Sequence, residues 1–309
     1  MLLESDHMRI DPAYRAALKA CGLDTVQRVI ERIDGAVAAW SRSTETLHIP
    51  APDGGVGFYV KRYYYASWSR RLRCALRGTL LGRHRALAEY RLLRDMRRLG
   101  LPAVRPVACG TRRLGRFVVV SFLITEEVPG ARNLTALAND IQSGRVVLTP
   151  TRRRELIRSL ARQVAELHAA CFVHGQLFWR NLLVRFDIAG RPEFFFLDVR
   201  PRHGGRRRSY RRRWWLRELA HLAASAIPFC TLADRLRFMH EYYGARALTP
   251  HLKRDMREID RLARHWLEHE RKRIHMNALF EDWNRQLRGE TARHPDADLW
   301  NLRDREPRS

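Results

Sequence analysis

The segment VHGQLFWRNLLV, residues 173–184, constrains the fold of this chain more than any other stretch. Two apolar ends with β-strand character enclose a polar turn that holds His174, Gln176 and Asn181. A second β-like run, RPEFFFLDVRP, contains Asp198, 17 residues after Asn181. Amide and carboxylate oxygens are the kind of ligand that Mg²⁺ prefers. The two segments together predict short strands whose loops carry polar groups suited to a metal ion.

The preceding half of the sequence predicts mainly β-structure. Residues 44–65, TETLHIPAPDGGVGFYVKRYYY, predict two strands that turn at PDGG. The glycines at 54, 55 and 57 are interpreted as this turn, because a lone glycine cluster between strands is usually only a turn. A loop that covers phosphates is instead expected one turn earlier, at Ser41 to Thr44. The run RFVVVSFLITEEV, residues 116–128, predicts a central strand.

One helix is predicted inside this β-rich half, from Arg83 to Leu99. Glu89 lies there at helical spacing with Leu92, Leu93 and Met96, so it shares their inward face. A carboxylate on an inward face needs a cationic partner, because burying it alone is costly.

The second half of the chain is predicted to be mainly helical. Thr149 and Pro150 open one helix, Thr249 and Pro250 open a long charged one, and residues from about Trp214 onward are helical. The predicted organisation is a helical lead-in (1–34), a β-rich lobe (35–128), a helical lobe (129–288) and a polar tail (289–309). This is a two-lobed α+β plan.

Charge bounds the partners of the chain. Its formal net charge is +25, which favours a polyanionic partner: nucleic acid, an anionic membrane face or a phosphorylated glycolipid. No nucleic-acid-binding module is recognisable, so that class ranks last and no specific nucleic acid is expected. The longest apolar run, Phe117 to Ile124, is too short to cross a bilayer, and no secretory signal is visible, so a cytoplasmic location is expected. Five scattered cysteines predict free, buried thiols.

Phosphoryl transfer needs cations on the phosphates, carboxylates that hold magnesium and a group that orients the attacking hydroxyl. Only four of the 58 basic residues are lysines, and Lys61 lies in a predicted strand. Its compact ammonium suits phosphates, and Glu89 on the following helix is the partner that it would require. Asn181 and Asp198 are candidate metal ligands.

The segments VHGQLFWRNLLV and FFFLDVRP resemble the HxDxxxxN loop and metal-binding aspartate of the protein-kinase-like superfamily. GFYVKRYYY, RALAEYRLLRDMRRLGLPAVRPVACG, FLITEEVPG and RLRFMHEYYG are similar to the lipopolysaccharide core kinase family, the InaA-like Kdo and heptose kinases of Gram-negative bacteria. The resemblance spans about residues 35 to 245. It implies a kinase fold, ATP and Mg²⁺ as cofactors, and a sugar hydroxyl of the lipopolysaccharide inner core as acceptor. It also implies a peripheral location at the cytoplasmic face of the inner membrane.

The resemblance also assigns roles to individual residues. The catalytic loop begins at His174, position 176 is that of the base, and Asn181 and Asp198 hold metal. The positions implied for ATP binding are Lys61, Glu89, Ser41, Thr44 and Glu126.

Gln176 departs from the family pattern, because an amide cannot accept a proton as a carboxylate does. General-base catalysis is typically worth about 10²–10⁴-fold. A Gln carbonyl can still orient the hydroxyl, because the transition state is loose. Two interpretations stay open: a phosphotransferase of reduced activity, and a pseudokinase with a nucleotide-binding or scaffold role in envelope biogenesis. A second departure, Val199 and Arg200 where protein kinases have Phe and Gly, is common among small-molecule kinases of this superfamily.

An arginine run follows the Asp198 segment, with six arginines among eight residues. It is either a solvated charged loop or a surface that binds phosphates of the lipopolysaccharide core, another anionic glycolipid or the anionic inner-membrane surface. Trp214 and Trp215 beside it either lie at the membrane headgroup level or pack in the core. The arginines of this hypothesis are Arg206, Arg207, Arg208, Arg211, Arg212 and Arg213.

Overall fold

A computed structural model describes residues 4–41, 43–65, 71–72, 74, 84–200, 203–207 and 211–287. The chain divides into two compact units. The first comprises residues 1–131, 166–176 and 195–210, and the second comprises residues 132–165, 177–194 and 211–309. The lobe boundaries expected from the sequence stay predictions. The α+β fold class is confirmed, since one unit is built on a β-sheet and the other is mostly helical.

The first unit is built around a six-stranded antiparallel sheet in the order β1-β5-β6-β4-β3-β2. The strands are β1 (Glu4–Ile10), β2 (Ala36–Ser41), β3 (Thr44–Ile49), β4 (Phe58–Tyr64), β5 (Pro106–Leu114) and β6 (Phe117–Glu126). Its helices are α1 (Arg15–Ala20), α2 (Val26–Glu31) and α3 (Arg85–Arg98). A small two-stranded sheet pairs β8 (Phe172–Val173) with β11 (Gly205–Arg206).

The predicted hairpin of β3 and β4 is confirmed, with Leu47 opposite Val60 and Thr46 opposite Lys61. Gly54 in its turn has a φ of +72°, a conformation that glycine adopts without strain. The predicted strand β6 is also confirmed and lies inside the sheet, between β4 and β5.

The prediction of a helical lead-in is wrong for the first described residues. Glu4–Ile10 form strand β1, which pairs along its whole length with β5. The stretch ESDHMRI is mostly polar because it lies at the sheet edge, where one face meets solvent. Asp6 accepts hydrogen bonds of 3.0 Å from both Nε and a terminal nitrogen of Arg112. The partner strand lies about a hundred residues away, which local periodicity does not reveal.

Alternation along β4 directs its side chains to two different environments. Val60 is fully buried in the core that α1 and α2 form on one face of the sheet. Arg62, on that same face, donates from Nε to the Val29 carbonyl at 2.9 Å. Lys61 therefore points to the opposite face, because successive side chains of a strand alternate.

The second unit is mostly helical. Its helices are α4 (Leu134–Gln142), most of α5 (Pro150–Ala169), α6 (Arg212–Ala226), α7 (Leu232–Tyr243) and α8 (Pro250–Leu287). A three-stranded sheet in the order β10-β9-β7 combines β7 (Arg132–Asn133), β9 (Leu182–Phe186) and β10 (Pro192–Phe196), of which the last two residues belong to the first unit. The predicted caps are confirmed: the Thr149 and Thr249 hydroxyls each accept a backbone N–H at 3.2 Å.

Helices α6 and α8 form the core of this unit. Ala220, Ala224 and Ala263 are fully buried together with Phe178 from the loop before β9. Such small side chains let helices approach closely. Within the described ranges, no helix is both long and apolar enough to cross a membrane, and the five cysteines are free thiols. The predicted polar tail (289–309) lies outside the described residues.

Candidate active site

Three of the predicted site residues meet in the first unit. The Lys61 ammonium donates to Glu89 Oε1 at 3.0 Å and to Asp198 Oδ1 at 2.5 Å. Lys61 comes from the middle of β4, Glu89 from α3 and Asp198 from the segment that follows β10. One cation is therefore shared by two carboxylates whose sequence positions differ by 109. Lys61, Glu89 and Asp198 together form a charge cluster.

Glu89 lies on the inward face of α3, as the spacing predicts. Leu93 and Met96, one and two turns further on, are fully buried beside it. The Tyr63 hydroxyl also donates a hydrogen bond to the Glu89 carboxylate. Tyr63 lies two residues after Lys61 on the same face of β4, so strand alternation could have found this contact. The Arg85 guanidinium lies 4.7 Å from the centre of the Tyr63 ring.

The ionisation of the charge cluster follows from burial and from the charges of its members. Burial lowers the pKa of Lys61, but the carboxylates of Asp198 and Glu89 outweigh this and raise that pKa well above its usual value. Burial alone raises the pKa of Asp198, but the Lys61 ammonium and the Arg85 guanidinium lower it to about 2. The pKa of Glu89 is raised by burial, against the effect of Lys61. Lys61 is thus charged and Asp198 ionised at neutral pH.

The backbone at Asp198 is in a conformation that few side chains adopt. Its φ is +57°, in the left-handed region. Residues held in this region cost free energy, and such residues cluster at functional sites.

His174 connects the polar turn to the Asp198 segment. Its Nε2 lies 2.9 Å from the Leu197 carbonyl oxygen, to which it donates, and its Nδ1 accepts a 3.4 Å hydrogen bond from the Gln176 backbone N–H. A neutral imidazole with its proton on Nε2 satisfies both contacts. Burial accordingly lowers the pKa of His174 to about 4. We infer that this residue orients the loop.

Gly175, between His174 and Gln176, permits a close approach of two backbone segments. Its φ is +86°, and a Cβ there would lie 2.9 Å from the Gly204 nitrogen. Any side chain at this position would push the loop away from the segment that follows Asp198. Gln176 is half-buried and belongs to the same unit as the charge cluster. Its role as the residue that orients the acceptor stays a prediction.

Asn181 belongs to the second unit, where it ends the short 3₁₀ turn Trp179–Asn181 and is buried. A network of buried polar groups fixes this turn. The Trp179 backbone N–H donates to Ser225 Oγ at 3.2 Å, and this hydroxyl donates to Glu270 Oε1 at 2.8 Å. Arg180 donates to the other Glu270 oxygen.

Ser225 and Glu270 were not among the predicted site residues. No local signal marks them, because they lie 46 and 90 residues after Trp179 and Arg180, the residues that they contact.

The remaining positions implied for ATP binding lie at two places in the six-stranded sheet. Ser41 ends β2 and pairs with Thr44 at the start of β3, so both flank the turn between these strands. Glu126 is the last residue of β6. Its Oε1 accepts a 2.8 Å hydrogen bond from the Tyr14 hydroxyl, and its Oε2 lies 3.4 Å from Arg105 Nε. Their contact with nucleotide stays a prediction.

The described arginines of the run are divided between the two units. Arg206 lies in β11, and Arg207 donates to the His203 carbonyl, both in the first unit. Arg208 lies outside the described residues. Arg211, Arg212 and Arg213 belong to the second unit, at the start of α6.

Trp215 is buried in the core, as one of the two interpretations expected. Trp214 is only half-buried.

The chemical types of the predicted site residues are those that bind magnesium and nucleotide phosphates. Asp198 offers an ionised carboxylate, and Asn181 offers an amide, which are hard ligands. Lys61 offers a buried ammonium for phosphate oxygens. Within the described residues, no cluster of three or more His, Cys, Asp or Glu could hold a metal by itself. A metal at Asp198 would therefore need further ligands, such as phosphate oxygens.

Comparisons with known proteins show which family the chain resembles. The model of the lipopolysaccharide kinase (Kdo/WaaP) family matches residues 24–242. The chain is 26% identical over 234 residues to the lipopolysaccharide core heptose(I) kinase WaaP of Pseudomonas aeruginosa, covering 74% of this chain and 81% of that protein. It is 28% identical over 145 residues to a 3-deoxy-D-manno-octulosonic acid kinase of Actinobacillus succinogenes, covering 47% and 56%.

A solved structure of WaaP in complex with acyl carrier protein covers 87% of this chain and 99% of its own chain. Its TM-score is 0.57 and its sequence identity to this chain is 22%. This similarity shows the fold and confirms the kinase-like architecture that the resemblance implied.

Proposed function

The chain belongs to the lipopolysaccharide kinase (Kdo/WaaP) family, and from this premise we propose that it transfers a phosphoryl group from ATP to a sugar hydroxyl of the lipopolysaccharide inner core. The observation that carries the proposal is the charge cluster, in which Lys61 Nζ lies within 3.0 Å of Glu89 and 2.5 Å of Asp198. A lysine held by a helix carboxylate beside a second, metal-binding carboxylate is the arrangement that phosphoryl transfer requires.

Lys61 binds phosphate oxygens of the nucleotide. Glu89 holds its ammonium in place, and the Tyr63 hydroxyl in turn holds Glu89. Asp198 and Asn181 are the residues that would hold Mg²⁺, which, when bound, neutralises charge on the phosphates. Positioning of reactants is the larger part of catalysis in this reaction class.

Gln176 orients the sugar hydroxyl through its amide oxygen. Since an amide does not accept the proton, the hydroxyl proton passes to an oxygen of the transferred phosphoryl group, after bond formation to phosphorus has begun. Turnover is therefore expected to be slower than with a carboxylate at this position.

The test is an assay of purified protein with ATP, Mg²⁺ and dephosphorylated core lipopolysaccharide. Lys61→Ala should lower the rate about 10²–10³-fold, because a preorganised donor to the phosphates is lost. Lys253→Ala is the matched control, since Lys253 is exposed on α8, and it should not change the rate. Equal rates for wild type and Lys61→Ala would refute the proposal.

The alternative is a pseudokinase with a nucleotide-binding or scaffold role, and Gln176 is the observation that favours it. Gln176→Asp separates the two functions. If wild type transfers phosphate and this variant is faster, the protein is a slow enzyme. If only the variant transfers phosphate, the protein is a decayed enzyme. Nucleotide binding without transfer in either favours the scaffold.

We also propose that the protein acts as a peripheral protein at the cytoplasmic face of the inner membrane. The net charge of +25 supports attraction to anionic headgroups. Co-sedimentation with phosphatidylglycerol vesicles should exceed that with phosphatidylcholine vesicles and should fall as salt rises. Equal binding to both vesicles would contradict this location.

A further inference from the structure

A cleft of about 640 Å³ opens in the second unit between the first turns of α6 and the middle of α8. Its walls include Trp214 and Arg217 from α6 and Leu262 and Trp266 from α8. The volume lies in the range of small-molecule sites, which are mostly apolar with a few well-placed polar groups. Neither the predicted catalytic residues nor the nucleotide positions belong to this cleft.

Two guanidiniums of the cleft form no ion pair with a carboxylate in the part of the chain that the structure describes. Arg213 and Arg217 are exposed, and neither forms an ion pair with any described acidic residue. The neighbouring Arg212 differs, because its Nε donates to Asp255 at 2.9 Å. Glu258 also lines the cleft, but its carboxylate pairs with Arg261 at 2.7 Å.

Aromatic rings hold both guanidiniums. The Arg213 guanidinium lies 6.0 Å from the centre of the Trp214 ring, and that of Arg217 lies 5.8 Å from the centre of the Trp266 ring. An indole face attracts a guanidinium at about this distance, and the N–H groups of that guanidinium remain able to pair with a phosphate through two hydrogen bonds. The cleft therefore presents two oriented anion-binding groups on an apolar wall.

The cleft connects through aromatic rings to the predicted catalytic loop. Trp266 lies edge-on to His221 at 5.1 Å and to Phe178 at 6.2 Å, measured between ring centres. Phe178 stacks on His221 and, on the loop itself, contacts the Arg180 guanidinium at 4.2 Å. Asn181 is the next residue after Arg180. The wall of the cleft therefore packs against the loop that carries Asn181.

We propose that this cleft binds a phosphate group carried on a saccharide, with Arg213 and Arg217 pairing to the phosphate and the apolar wall packing against the C–H face of the sugar ring. The choice of a saccharide rests on the proposed function. The anionic group of the ligand is inferred from the Arg213 and Arg217 guanidiniums and does not depend on the proposed function. A flat membrane surface fits a concave cleft poorly, whereas small-molecule sites are concave and mostly apolar.

Binding is measured by calorimetry on the full chain without ATP. The probes are core oligosaccharide cleaved from its lipid, the same oligosaccharide after phosphatase treatment, inorganic phosphate alone and phosphatidylglycerol vesicles. The phosphorylated oligosaccharide should bind at least about tenfold tighter than the dephosphorylated one, as expected for charge-assisted pairs. Inorganic phosphate should bind weakly and at the same site.

The double variant Arg213→Gln/Arg217→Gln should lose this preference. The matched control Arg116→Gln/Arg246→Gln removes the same charge at two exposed arginines elsewhere and should keep it. Thermal melting of both variants checks folding, and these surface changes should leave the melting temperature unchanged. In the kinase assay, the first variant should raise KM for a phosphorylated acceptor and leave KM for ATP unchanged.

Equal oligosaccharide affinities of the double variant and its control would overturn the inference. A loss confined to vesicle binding would assign the cleft to lipid headgroups, and a loss confined to an added acidic protein would assign it to that partner; both results contradict a saccharide site. Failure of the proposed function looks different. If wild type transfers no phosphate but oligosaccharide binding still depends on Arg213 and Arg217, the cleft stands and the kinase activity fails.

Discussion

Two groups of buried charges can be compared, one in each unit. In the charge cluster of the first unit, the Lys61 ammonium forms ion pairs with two carboxylates. The Asp198 side chain is 30% exposed to solvent. In the second unit, Arg180 pairs with Glu270, whose side chain is completely buried, and Ser225 binds the other carboxylate oxygen. Both groups join elements far apart in the sequence.

The difference separates a reactive site from a structural one. Glu270 has a hydrogen-bond partner on each oxygen, so little is left for a ligand. Asp198 is partly exposed and its backbone is in the left-handed region, so part of its side chain stays accessible to a ligand. Substitution should therefore affect activity at one group and stability at the other.

The largest effect is expected for Asp198→Asn in the kinase assay. Loss of the metal-binding carboxylate should lower the rate about 10³-fold, since metal charge stabilisation is worth several kcal/mol. The free energy of unfolding should change by about 1 kcal/mol or less, because Lys61 still forms its ion pair with Glu89 and because asparagine tolerates the left-handed backbone. A large loss of stability with normal activity would reverse the assignment of the two groups.

For Glu270→Gln, we expect the opposite pattern. The Arg180 charge would lose its buried partner, so the free energy of unfolding should fall by about 3–5 kcal/mol in urea titrations. Glu268→Gln is the control, because this neighbour on α8 forms only an exposed pair with Lys272 and should not change stability. If both variants unfold at the same urea concentration, the network does not stabilise the loop.

A smaller effect should appear as pH dependence of the first unit. Burial lowers the pKa of His168 to about 3, so the folded state binds fewer protons than the unfolded state between that value and about 6.5. This stability is present above about pH 6.5 and is lost as pH falls, by about 2 kcal/mol between pH 7 and pH 5. His168→Leu should flatten the dependence of the free energy of unfolding on pH over this interval. An unchanged slope would mean that His168 is not buried in its neutral form.

The smallest effect is expected for Tyr63→Phe. This change removes one hydrogen bond to Glu89, while Lys61 still binds that carboxylate. The free energy of unfolding should fall by about 1 kcal/mol, measured by urea titration. A gain in stability would show that the hydroxyl strains the charge cluster.

Local sequence patterns predicted the parts of the site that depend on a single element. The β-like pattern around Lys61 placed this residue in a strand, and helical spacing placed Glu89 inward with a cation as its partner. The run FFFLD placed Asp198 at the end of a strand, and the structure places it two residues after β10. The left-handed backbone at Asp198 could not be predicted, because no local residue pattern requires it.

Features that depend on distant pairing were missed. Strand β1 is held by its partner β5, and Glu270 meets the loop only because α8 packs against α6. The two ends of the arginine run belong to different units, and the role of the whole run stays a prediction. Its functional part, if the cleft binds phosphate, includes Arg217, which lies beyond the run.

The most direct test of the central claim is the effect of Mg²⁺ on ATP affinity, measured by calorimetry on wild type, Asp198→Asn and Lys61→Met. If Lys61 and Asp198 bind the phosphates and the metal, Mg²⁺ should strengthen ATP binding to wild type. It should do so much less for Asp198→Asn, and Lys61→Met should bind ATP weakly with or without Mg²⁺. Identical ATP affinities and an identical Mg²⁺ effect in all three proteins would contradict the claim.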